Sequence, residues 1–264
     1  MTIPDNISKR EFARNSWIQH LPTNVCYAFL YDNDNDIPEM EKYDGMTLNS
    51  TNRGIDGKRG EKLFNFYSYI NKTKILNDVK HIVKMDDDVV LCPENLFDYL
   101  KEKIVTSDVY SGWFHQIDEL HVTSSPTKVF REARILNERV RADAMFVLLG
   151  RNLMNYVVSK VYCNQRSEKI CDRSNQLYDN NMEGQSLGKW LSALSKKKIQ
   201  IVPLNDIAIH GKTAQDLEFG YKSMITDENS KDPILIYHLG RRYNENTSLF
   251  AKTFNKCPLT SSQY

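Results

Sequence analysis

His81-Ile82-Val83-Lys84-Met85-Asp86-Asp87-Asp88-Val89-Val90-Leu91 sets three consecutive aspartates between two apolar runs, and Pro93-Glu94-Asn95-Leu96 then opens a helix. The flanking runs are of β type, and Pro93 takes a favoured first-turn position. Adjacent carboxylates repel one another, and burying even one without a partner is costly. A folded chain that keeps such a triplet at a strand end needs positive charge there. A hard divalent cation with oxygen ligands, Mg²⁺ or Mn²⁺, meets that need, and such an ion usually brings a phosphate-bearing substrate with it. A solvated acidic turn is the plain alternative, but acidic turns are rarely set between two β-type runs.

Working outward, residues 8–21 read as a helix, with Ser8 as cap, Glu11 three residues on, and Phe12, Trp17 and Ile18 as its apolar side. Arg10 and Arg14 lie four apart on one face, a spacing that suits either a solvated basic face, the commoner case, or bidentate binding of a diphosphate. A continuous apolar run at 25–31 suits a buried strand, and 41–48 holds a short one. A glycine-bearing loop spans 49–60, and helices are expected at 61–70 and 93–104. Strands are expected at 109–114, 144–149, 199–203 and 233–237, the last ending at His238, with helices at 152–161 and 184–194. Residues 122–141 read as an irregular loop bordering the site, and 164–181 as a polar loop of substrate-covering length. Strands alternating with helices predict an α/β fold, one domain over 1–264, with a mixed, mostly parallel sheet flanked by helices. Sites in such sheets lie at the carboxyl ends of strands, where Asp86 to Asp88 fall.

Composition narrows the partners. Net charge is +1, so overall charge implies neither a nucleic acid nor an acidic membrane surface. The longest apolar run, 144–149, is too short to span a bilayer, and the polar start Met1-Thr2-Ile3-Pro4-Asp5-Asn6 carries no secretory signal. Five cysteines include no Cys-x-x-Cys pair, which argues against zinc. Cys163 and Cys171 flank a polar loop and can pair in an oxidising compartment. Asn6, Asn49, Asn71 and Asn246 head Asn-x-Ser/Thr sequons.

Four stretches, in order, resemble the β1,3-glycosyltransferases of glycosyltransferase family 31. Lys9-Arg10-Glu11-Phe12-Ala13-Arg14-Asn15-Ser16-Trp17 resembles the family's Arg-Arg-x-x-Ile-Arg-x-Thr-Trp block, and Lys84-Met85-Asp86-Asp87-Asp88-Val89 its Lys-x-Asp-Asp-Asp-Val metal motif. Glu183-Gly184-Gln185-Ser186-Leu187-Gly188 resembles its Glu-Asp-Val-x-x-Gly block. Tyr237-His238 ends a late strand as the family's metal-binding histidine does. The resemblance implies a GT-A fold, a UDP-sugar donor, and a glycan acceptor on protein or lipid. It also implies a Golgi setting, with membrane association only through a segment outside this chain. Mn²⁺ (or Mg²⁺) is expected on Asp86, Asp88 and His238, with His210, before Gln215-Asp216-Leu217, as the rival histidine. Arg10, Arg14, Lys62, Lys84, Asp86, Asp87 and Asp143 are the expected substrate-binding residues.

The resemblance breaks at one position that matters. Inversion needs a base to take the proton of the attacking hydroxyl. The family uses the Asp of Glu-Asp-Val, and this chain has Gly184 there. Glu183 is the expected substitute, with Asp179 a second candidate. The family's Tyr-Pro-x-Tyr-x-x-Gly-x-x-Tyr stretch is altered too, and Asp143 falls near it. A non-catalytic relative that binds nucleotide-sugar, glycan or a protein partner is therefore the alternative to an active hexosyltransferase. Another metal-dependent phosphoryl-transfer enzyme is weaker, for the chain lacks a Gly-x-x-x-x-Gly-Lys loop.

Overall fold

The computed structural model describes residues 6–31, 37–48, 59–73, 78–120, 129–161, 183–210 and 235–238. In chain order they form α1 (Ile7–Asn15), β1 (Phe29–Tyr31), β2 (Gly45–Thr47), α2 (Arg59–Lys72), β3 (His81–Met85), β4 (Val89–Leu91) and α3 (Pro93–Lys103). Then follow β5 (Val109–His115), β6 (Val129–Glu132), β7 (Arg141–Gly150), α4 (Arg151–Val161), α5 (Glu183–Ser192), β8 (Lys198–Pro203), β9 (Ala208–His210) and β10 (Ile236–His238). The mixed α/β character expected from the pattern is what the chain adopts. Its largest sheet has five strands in the order β3-β7-β5-β8-β6.

The expectation of one mostly parallel sheet needs correcting. Of the pairings in the five-stranded sheet, only β5 with β8 is parallel; β3–β7, β5–β7 and β6–β8 are antiparallel. Two further sheets stand apart: β1–β2, and β4-β10-β9. The continuous apolar runs that suggested parallel strands mark burial on both faces instead. On β7, Val147 and Leu149 join the core beneath α2, α4 and α5, while Phe146 and Leu148 join the core shared with α3, β4 and β10. Two-sided burial removes the alternation that usually betrays an antiparallel strand. Part of the loop expected at 122–141 is the edge strand β6, and the helix expected at 8–21 is α1 followed by a 3₁₀ turn at Trp17–His20.

Charge also ties α1 to residues 31–44. Arg10 is fully enclosed. Its Nε donates to Glu41 Oε2 at 2.8 Å, and Arg14 donates through Nη1 to Glu41 Oε1 (2.7 Å) and through Nε and Nη2 to Asp44 (2.8 Å each). The Tyr31 hydroxyl donates to Glu41 at 2.5 Å. Burial pushes the Glu41 carboxyl up, but the Tyr31 and Arg14 hydrogen bonds and the charges of Arg10 and Arg14 more than reverse this, leaving it below its ordinary 4.5. A depressed folded-state pKa means stability that is present above the unfolded value and lost as pH falls through the folded one. Denaturation midpoints should therefore drop as pH is taken from about 5 to about 3. Glu41→Gln should show a flatter dependence, from a starting stability lower by about 3 kcal/mol. An unchanged slope in the variant would assign the acid sensitivity elsewhere.

Cys92 is disulfide-bonded, and Cys26 is an exposed free thiol. The pairing expected for Cys163 with Cys171 lies outside the described residues, as do the loop at 164–181 and Asp179. Among the described residues no helix is long and apolar enough to cross a membrane.

Candidate metal centre

The aspartate triplet is the chain's crossing from one sheet to another. β3 enters it from the five-stranded sheet and β4 leaves it into the three-stranded sheet. Each carboxylate has its own partner. The Lys84 ammonium donates to Asp86 Oδ1 at 2.5 Å. Asp87 turns to the first turn of α1, accepting from Asn6 Nδ2 at 2.8 Å with Lys9 Nζ 3.8 Å away. Asp88 Oδ1 lies 3.3 Å from His238 Nε2. Ser8 was the expected helix cap, but the helix starts at Ile7, and Asn6 at the cap position makes no side-chain cap bond. Asp87, expected at the substrate, is thus engaged by α1.

Strand pairing brings His238 to the triplet. β10 runs antiparallel to β4, with His238 opposite Val89, the residue after Asp88. Ligand atoms of Asp86, Asp88 and His238 all lie within 4.8 Å of one another, so this Asp-Asp-His group can hold a metal ion. The rival, His210, ends β9 and pairs in parallel register with His238. Its side chain lies outside the described residues.

The donor set fits a cation. Asp88 Oδ1 is buried, and the His238 imidazole 3.3 Å away is the group that faces it. Burial pushes the Asp88 carboxyl up, and the His238 hydrogen bond and charge bring it below its ordinary value. Burial pushes His238 down, but Asp88 first, and then Asp86 and Asp143, raise it above 6.5 overall. Protonation of the imidazole therefore competes with metal binding.

Behind this group sits Lys84, whose side chain is 1% exposed. Besides Asp86, its ammonium donates to the Ala144 carbonyl at 2.6 Å and ion-pairs with Glu183. Burial alone would push Lys84 down, and the two carboxylates push it up by more. Lys84, expected among the substrate-binding residues, ties a candidate metal ligand to the first residue of α5. Glu183, expected as the base, is buried and already holds that ammonium.

Gly184 explains itself sterically. A Cβ there would stand 2.7 Å from the Ala142 carbonyl oxygen, and one at Gly188 would stand 2.4 Å from that of Asn137. Two glycines four apart put a bare face of α5 against β7, so an aspartate at position 184 cannot enter without moving backbone.

The stretch of β7 beneath α5 is irregular. Pairing with β5 jumps from Gly112↔Val147 to Phe114↔Ala142, so residues 143–146 bulge. Bulges of this kind re-aim side chains. Within it, Met145 O accepts from Asp86 N (3.0 Å), and Asp143 Oδ2 meets His115 Nε2 at 2.8 Å. Asp143 was expected at the substrate; its partner His115 was missed. The signal was present, for His115 ends an apolar strand just as His238 does.

Arg10 and Arg14, expected at a diphosphate, have Glu41 and Asp44 as carboxylate partners. Arg14 borders a hollow of about 190 Å³ with Glu11, Asn15, Met40, Glu41 and Tyr43. That is below the roughly 300 Å³ at which ligand pockets begin. Lys62 is half-buried on α2. No protein-family model matches the sequence, and no curated protein matches it either.

Proposed function

We propose that this chain is a Mn²⁺-dependent inverting hexosyltransferase with a GT-A fold, moving galactose or an N-acetylhexosamine from a UDP-sugar to a glycan acceptor in β1,3 linkage. The observation that carries the reading is the convergence of Asp86 and Asp88, in the turn between β3 and β4, with His238 at the end of β10. An ion bound there supplies neutralisation of the charge that grows on a departing diphosphate. The imidazole tilts the site toward a transition metal, Mn²⁺, over Mg²⁺. Lys84 keeps Asp86 oriented from behind, and α1 takes Asp87 out of the ligand set. The Cys92 disulfide fits an oxidising lumen such as the Golgi.

Calorimetric titration with UDP tests the reading. Binding should require Mn²⁺, weaken in Mg²⁺, and vanish in a chelator. UDP binding indifferent to all three conditions would refute it.

A second reading has its own observation. Glu183 is committed to Lys84, and Gly184 is held by packing. These two facts favour a non-catalytic relative that keeps nucleotide-sugar binding without turnover.

A further inference from the structure

Resting on the glycosyl-transfer reading, we propose that His115, held by Asp143, is the base that takes the proton of the attacking hydroxyl. The groups at this edge of the sheet can be sorted by what each already does. Asp86 and Asp88 belong to the candidate metal group, and Glu183 is spent on Lys84 with its side chain 8% exposed. Asp143 has both oxygens engaged, Oδ1 accepting from Met145 N at 3.0 Å and Oδ2 meeting His115 at 2.8 Å. It therefore acts as a positioning residue. The His115 side chain is 28% exposed, open enough to meet an acceptor. The Trp113 ring packs perpendicular to the imidazole, at 90° with centroids 5.0 Å apart.

The position is right as well. The bulge that carries Asp143 also carries Met145, whose carbonyl accepts from the Asp86 backbone N–H at 3.0 Å. A carboxylate on Nε2–H fixes the tautomer in which Nδ1 is the accepting nitrogen. In the step, the acceptor O–H bond breaks and its proton passes to Nδ1. The oxygen's electron pair forms the new bond to the sugar's C1. The bond from C1 to the UDP oxygen breaks, and its electrons leave on the diphosphate. Neutral imidazole becomes imidazolium as UDP gains one negative charge, so charge balances.

The test uses the full chain with UDP-galactose and UDP-N-acetylglucosamine in Mn²⁺, scoring hydrolysis and transfer to p-nitrophenyl hexosides. His115→Ala should lower kcat by about 10²- to 10⁴-fold while UDP affinity stays within about twofold, and added imidazole should restore part of the rate. Asp143→Asn should lower kcat by about 10²-fold. His115→Asn, closer in shape, should match the alanine variant in rate and the parent in thermal unfolding. Wild-type kcat in His115→Ala overturns the assignment, as does loss of UDP binding in step with activity. A parent protein that binds UDP with Mn²⁺ yet turns over neither donor also overturns it, leaving the nucleotide site standing. Absence of Mn²⁺-dependent UDP binding in the parent would instead remove the transferase reading itself.

Discussion

Lys84→Met is expected to destabilise the fold by about 3–5 kcal/mol, the cost of removing one partner from a buried ion pair. The ammonium is almost wholly enclosed and meets three oxygen groups, the carboxylates of Asp86 and Glu183 and the Ala144 carbonyl. Methionine fills most of the same volume, so packing loss is small and the deficit is electrostatic. Two carboxylates are left without their cation, Glu183 with its side chain 8% exposed and Asp86 with its side chain 36% exposed, and water relieves the repulsion only at Asp86. The double variant Lys84→Met/Glu183→Gln removes that repulsion and should recover much of the loss, a coupling that urea midpoints of the single and double variants would measure. Lys84→Arg should fall between, because a planar guanidinium does not reproduce the three directions of an ammonium. A single-variant cost under about 1 kcal/mol would mean the pair behaves as a solvated one.

What could be read from the sequence, and what could not, follows from the range of the forces involved. The strand–aspartates–helix reading at 81–103 survives because each part is local: β-type runs, an acidic turn, and Pro93 at a first turn. The partner of Asp88 was legible too, since His238 ends an apolar run. Only pairing of β4 with β10 could show that it reaches Val89. The depth of Lys84 was not legible, because sequence displays a lysine beside acids without its burial. Strand direction failed for the reason already visible in β7: burial on both faces erases the alternation from which antiparallel pairing is read. The His115–Asp143 contact spans 28 positions and depends on a bulge, a register irregularity with no local signature. Gly184 is the instructive case. Read against a family pattern it looks like a lost base; in the fold it is a contact surface between α5 and β7.

Asp88→Ala should weaken Mn²⁺ binding by about 100-fold or more, about 2.7 kcal/mol, and carry Mn²⁺-dependent UDP binding down with it. Asp88 is the buried ligand that faces His238, which comes from a different strand, so its loss opens the group at the centre. Asp88→Asn keeps one neutral oxygen and should cost less, about tenfold. His238→Ala separates charge from softness. Removing an imidazole from an otherwise carboxylate site should cost Mn²⁺ far more than Mg²⁺, so discrimination between the two ions narrows. Asp87→Ala is the internal control: its carboxylate serves Asn6 and Lys9 on α1, and metal affinity should stay close to the parent's while thermal stability falls. Paramagnetic relaxation by Mn²⁺ across the four variants reads these orders directly. Equal losses at Asp87 and Asp88 would mean that the triplet gathers cations by charge alone, and a site built by strand pairing would have to be given up.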